Sequence, residues 1–200
     1  MQLHKRDVVA KAAAILDGYG IADLTMRRLA RELDVTPGAL YWHFANKQEL
    51  LGAVADHVLV PACTELPPME WRDRIETVCR GLRDALLSHT DGAELVSASF
   101  AAGQSRAVEQ ILDVLAEAAG EAGVDAAHRV QAARTVLHYV LGATADEQSR
   151  LQWDAAGAAG PATLDWSADL RSLPADPSAG FAFGLRLLTD GLAAQRTLSV

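Results

Sequence analysis

Leu24-Thr-Met-Arg-Arg-Leu-Ala-Arg-Glu-Leu-Asp-Val-Thr-Pro-Gly-Ala-Leu-Tyr-Trp-His-Phe-Ala-Asn-Lys-Gln-Glu-Leu50 is the stretch whose reading decides the fold. It reads as two short helices joined by a tight turn. Thr25 is placed to cap the first, on which Leu29, Ala30 and Leu33 face inward. Asp34-Val35 forms the turn. Thr36 is a good N-cap, and Pro37 suits the first position of the second helix because its missing N–H would have no partner there. Leu40, Tyr41 and Phe44 follow on that helix. Asn46-Lys-Gln-Glu49 has the form of a capping box and opens a further helix running to about Val60. The second helix begins on Pro37-Gly38-Ala39, small residues that leave its front end uncluttered.

Working outward, Val8, Val9, Ala12, Ala13, Ile15 and Leu16 form a helical stripe over residues 5–18, stopped by Gly18 and Gly20. Pro61, Pro67 and Pro68 punctuate the chain, so an N-terminal module of residues 1–60 and a second of residues 61–200 are expected. In the second, Trp71, Ile75, Val78, Leu82 and Leu86 mark a long helix ending near His89. Asp91-Gly92 reads as a turn, and a short helix covers roughly residues 92–100. Val108, Ile111, Leu112 and Leu115 mark the next, ending around Gly120–Gly123. Asp125 is expected to cap a long helix carrying Val130, Leu137, Leu141 and Leu151 along one side. Ser178 is expected to cap the last, with Phe181, Leu185, Leu188 and Leu192 on one face. Residues 155–177, rich in Ala, Gly and Pro, read as a mobile or functional loop. Trp153 and Trp166 flank it, either to close over a pocket or to anchor the loop. No strand and no repeat emerges, and the expected class is all-α.

The net charge of −8 argues at first against nucleic acid. Its distribution reverses that reading. Residues 1–50 carry seven Lys/Arg against six Asp/Glu, whereas residues 51–200 carry eleven against twenty. The acid lies outside the N-terminal module, so a basic patch remains possible there. Cys63 and Cys79 have no metal-type spacing and read as free buried thiols in a reducing compartment. The first residues lack the apolar core of a signal peptide, and no apolar run reaches membrane-spanning length, so a cytoplasmic protein is expected.

Spacing alone does not separate a DNA-reading helix pair from an ordinary helical corner. Leu40-Tyr-Trp-His-Phe-Ala-Asn-Lys47 sharpens the reading. Tyr and His are amphipathic and Lys47 is held at a helix start, so these groups can donate to phosphate oxygens while the preceding turn meets bases. No Ser-His-Asp arrangement, metal cluster or phosphate loop is present, which argues against an enzyme.

From Val8 to Leu51 the chain resembles the tetracycline-repressor family. The likeness rests on Gly20, Leu24-Thr25, Arg27, Leu29-Ala30, Leu33, Val35, Leu40-Tyr41-Trp42-His43 and Asn46-Lys47. It extends to residues 85–93, 138–148 and 181–192, which look like the ligand-binding and dimer helices of the tetracycline repressor. The resemblance implies that Thr25, Tyr41, His43 and Lys47 contact phosphates of double-stranded operator DNA. It implies that Arg27 enters the major groove, where arginine pairs with guanine. Pro37-Gly38-Ala39 replace the base-reading side chains of that repressor, leaving apolar contact or close backbone approach and a larger share for DNA shape. Trp42 either packs on the first helix or contacts phosphate.

By the same resemblance the ligand site falls among Val78, Leu82, Leu86, Val96, Phe100, Leu112, Leu115, His138, Leu141 and Asp146. The drug- and magnesium-binding groups of the tetracycline repressor are mostly replaced by apolar residues, so no metal or cofactor is expected and a largely apolar small-molecule effector is. His138 is either a polar anchor or a satisfied interior histidine. Asp146-Glu147 either greets a cationic ligand, lines the opening, or is solvated. Leu137, Gly142, Gly184, Leu185, Leu188 and Leu192, with Gly191, are expected on helices that pair two copies into a four-helix bundle. A ligand-responsive repressor acting as a homodimer is the leading expectation. The rivals are an activator of the same fold, a constitutive architectural DNA binder, and a ligand-binding protein that has lost DNA binding.

Overall fold

The computed structural model describes residues 3–155, 157 and 177–198. Among them there is no strand. The helices are α1 (Lys5–Tyr19), α2 (Met26–Glu32), α3 (Pro37–Tyr41), α4 (Lys47–Leu59), α5 (Trp71–Leu87), α6 (Gly92–Ala102), α7 (Arg106–Ala122), α8 (Arg129–Ala155) and α9 (Pro177–Leu198), with a 3-10 turn at Val60–Cys63. The 155–177 loop, Trp166 with it, lies almost wholly outside the described residues.

Local chemistry sets most boundaries. Thr25 Oγ1 accepts from the Arg28 N–H at 3.1 Å and starts α2. Asp34 makes the turn in a left-handed conformation at φ 53°, which Asp tolerates better than most residues. Asn46 Oδ1 accepts from the Glu49 N–H at 2.8 Å and starts α4. Glu49 reciprocates one residue earlier than a standard capping box: its carboxylate accepts from the Ala45 N–H at 2.8 Å.

Several expectations need correction. α1 runs through Gly18 to Tyr19 and stops at Gly20, whose φ of 80° suits glycine. Phe44 lies beyond the end of α3, and its ring is fully buried beneath it. α8 starts at Arg129, not at Asp125: the Asp125 carboxylate caps a turn by accepting from the Ala127 N–H at 2.9 Å. Ser178 sits inside the first turn of α9, and Pro177 leads it. Leu151 is exposed although Leu137 and Leu141 on the same helix are buried, because α8 outruns the core it packs on.

One continuous apolar core spans both halves of the sequence. α4 joins them, packing on α1 on one side and on α6 and α7 on the other. Gly52 makes that possible, since a Cβ there would run into the Gln104 carbonyl of the α6–α7 corner. Asp56 on α4 fixes the same corner, accepting from Ser105 Oγ at 2.7 Å and from the Ala107 N–H at 3.0 Å. A second junction ties the end of α1 to the α5–α6 turn. Asp17 bonds His89 Nδ1 at 2.9 Å and, through its carbonyl, accepts from Thr90 at 3.0 Å. Asp91 accepts from the Ile21 N–H at 2.9 Å and from Gln152 of α8 at 2.8 Å.

Candidate DNA-reading surface and ligand cavity

The first three helices and the start of α4 present one edge. Pro37 and Gly38 are exposed at the front of α3, and Ala39 is half-buried. Arg27 on α2 is exposed. Its neighbour Arg28 is committed elsewhere: it bonds Asp23 at 2.6 Å and lies 3.6 Å from the Tyr19 ring centroid. Tyr41 is 53% exposed and Trp42 90% exposed. Trp42 therefore does not pack on α1, since a side chain packed there would lie inside. His43 and Lys47 are half-buried, with Lys47 as the first residue of α4. Thr25 Oγ1 accepts one bond at the cap, which leaves its O–H able to donate.

Beneath this edge the frame is tied down. Lys5 Nζ stands 4.6 Å from the Phe44 ring centroid and 3.2 Å from Glu49 Oε1. The Ala45 N–H, and after it Lys5, hold the Glu49 carboxyl below the usual carboxylate range. The α3–α4 corner carrying Tyr41, His43 and Lys47 is thus fixed to α1 by a cation, a ring and a carboxylate.

The C-terminal helices carry a cavity of about 400 Å³ between the 3-10 turn, α5 and α7. Val78 and Ile111 form its buried floor, and Ala62, Cys63, Leu66, Arg74 and Val114 its half-buried walls. Thr64, Glu65, Gln110 and Glu117 form the exposed rim. Val78 is where the resemblance placed a ligand contact. Leu82, Leu86, Val96, Leu115 and Leu141 instead pack in the core, and Leu112 is half-buried against it. His138 is exposed, with its ring 5.7 Å from that of half-buried Phe100, so it is not an interior histidine.

Asp146 and Glu147 part company. Asp146 is exposed and pairs with Arg150 at 3.3 Å. Glu147 is buried and takes a two-pronged bond from Arg83 at 3.0 and 2.8 Å, both side chains being 12% exposed. Arg83 also reaches Ser178 at 3.3 Å and faces the Phe181 ring, so this pair knits α5, α8 and α9. The sequence reading passed over it because the partners lie 64 positions apart.

Of the expected dimer residues, Leu137 and Leu185 are buried within the protomer. A Cβ at Gly184 would meet the Tyr139 hydroxyl of the same chain, so this close approach is also internal. Gly142 faces open space. Leu188 and Leu192 are half-buried and line an open apolar groove with Val136 and Leu187, while Phe183 and Leu187 are more than half exposed. Both cysteines are free. Burial pushes the Cys79 thiol up to about 12 and raises Cys63 as well. No helix among the described residues is long and apolar enough to cross a membrane, and none of their His, Cys, Asp and Glu side chains group to hold a metal.

A short helix pair with a bare, exposed leading edge, set on a larger helical domain, defines a DNA-binding regulator of the helix-turn-helix class. Comparison with known proteins agrees. Residues 8–54 match the family of bacterial regulatory proteins of the tetR family, and residues 65–196 match the tetracyclin repressor-like C-terminal domain. The class A tetracycline repressor protein from transposon 1721 of Escherichia coli is 34% identical over 205 residues, covering 98% of this chain and 93% of that protein. The crystal structure of Mycobacterium smegmatis BioQ is 64% identical with a TM-score of 0.88, covering 97% of this chain and 99% of that one. BioQ with its natural double-stranded DNA operator is 61% identical with a TM-score of 0.82, covering 96% and 99%. TetR-Q116A from Acinetobacter baumannii AYE in complex with minocycline is 30% identical with a TM-score of 0.70, covering 98% and 99%. The chain belongs to the TetR family of transcriptional repressors. Proteins of this family are DNA-binding transcription factors.

Proposed function

We propose that this chain is a cytoplasmic, dimeric, ligand-responsive repressor. It binds a palindromic operator through the edge built from Thr25, Arg27, Pro37, Gly38, Ala39, Tyr41, Trp42, His43 and Lys47. The observation that carries the reading is the exposure of Arg27, Pro37, Gly38, Tyr41 and Trp42 on that edge, above a frame that holds them in place. Two copies are needed because each recognition helix covers a half-site about one helical turn, roughly 34 Å, from its mate. The outer face of α9, with Phe183, Leu187, Leu188 and Leu192, is the surface that a second copy would cover.

The cavity beside the 3-10 turn is the effector site. It adjoins the end of α4, and α4 carries Lys47 at its other end. An occupant that binds the DNA-incompetent arrangement more tightly lowers operator affinity by that difference. The solved complexes of BioQ with operator DNA and of TetR-Q116A with minocycline support operator DNA and a small molecule as partners. The test is fluorescence anisotropy of a selected duplex titrated with the purified chain, with sedimentation of the complex. Two protomers per duplex, and Arg27→Ala weakening binding, support the reading; one protomer per duplex contradicts it.

A further inference from the structure

We propose that the cavity takes an amphipathic organic monocation, an apolar group carrying an ammonium. This rests on the reading of the cavity as the effector site and names the ligand class. The volume of about 400 Å³ suits a small organic molecule. Its floor, Val78 and Ile111, is apolar and buried, so the inner part of the ligand must be apolar.

The rim decides the charge. Glu65, after the 3-10 turn, and Glu117, on α7, stand at the opening with no ion pair or hydrogen bond to another described residue. Arg74 is the sole cation in the lining, and it is already used: it bonds Glu121 at 2.8 Å and the Met69 carbonyl at 3.1 Å. A carboxylate or phosphate ligand would face two uncompensated acids and no free cation. Cys63 adds no charge to the wall, since burial and Asp56 raise its thiol. A neutral apolar ligand would fill the floor and gain nothing from the rim. An ammonium at the mouth has a carboxylate on each of two different elements to meet, in a part of the chain whose net charge is already strongly negative.

Cys63 supplies a readout at the site. Cys79 is fully buried with its thiol pushed up to about 12, so a neutral maleimide reports on Cys63. The probes are octyltrimethylammonium, decan-1-ol and decanoate, each titrated against the maleimide rate of the full chain. The ammonium should protect Cys63 best and decanoate least. Glu65→Gln and Glu117→Gln should each weaken the ammonium by about two- to fivefold, leaving decan-1-ol unchanged. Both residues are exposed, and thermal unfolding confirms that the variants fold. Protection by decanoate equal to that of the ammonium, no protection by any probe, or ammonium affinity unmoved in both variants overturns the proposal. A parallel operator titration separates the two readings. Charge-selective protection with the operator still bound leaves the ligand class standing and removes ligand-induced release. Release without protection of Cys63 removes the cavity assignment.

Discussion

The two ends of this molecule answer sequence reading in opposite ways. At the DNA-reading end, residues expected to meet DNA stand outside: Arg27, Pro37, Gly38, Tyr41 and Trp42 are all exposed. At the effector end, Leu82, Leu86, Val96 and Leu115 are all within 1% of complete burial. A reading edge is a convex feature made by two short helices, and spacing, caps and turn residues determine which side chains leave the surface. A cavity is a place where packing stops, and helical periodicity marks only the side that faces inward. Between the ends, α4 belongs to both.

The largest expected effect lies at the effector end and is purely structural. Arg83→Met should destabilise the fold by about 3–5 kcal/mol in urea unfolding, since it strands the Glu147 carboxylate. Adding Glu147→Met should restore most of that loss. An Arg83→Met protein as stable as the parent would break the contrast by showing that the pair is not needed. At the DNA end the costs should fall on binding instead. Arg27→Ala should weaken a selected operator by about 1–3 kcal/mol and relax its sequence preference. Its unfolding midpoint should barely move, because Arg27 is exposed.

Lys47→Ala should weaken every duplex alike and reduce the slope of log affinity against log salt by about one, measured by anisotropy between low and moderate salt. The smallest effect is on pH dependence. The folded-state carboxyl of Glu49 sits below its ordinary value, so the unfolded chain binds the proton more readily. The stabilisation is therefore present above the unfolded value and lost as pH falls through the folded one. Glu49→Gln should remove this small contribution at neutral pH and leave low pH nearly unchanged, so that the acid limb of the stability curve flattens, as followed by circular dichroism.

Most of the fold was readable in the sequence because its signals are local. Thr25 and Asn46 cap α2 and α4, Asp34 turns the chain, and the Val8–Leu16 stripe faces the core. What escaped depends on partners far apart in sequence. Asp125 looks like a cap for α8, but it closes a preceding turn, and no spacing rule separates the two. Gly184 looks like an approach between copies, whereas Tyr139 of the same chain fills the space. Asp146 and Glu147 are adjacent, yet one is solvated and the other buried, because the helix turns them to different sides and only one meets Arg83. The exposure of Trp42 needed the packed module, since both of its sequence readings suit an aromatic at that position.

Selection of duplexes from a randomised pool by the intact chain tests the account most directly. The prediction is an inverted repeat with half-sites about one helical turn apart, bound by two protomers and lost to Arg27→Ala. Recovery of no motif, or of a single half-site held by one protomer, would contradict it.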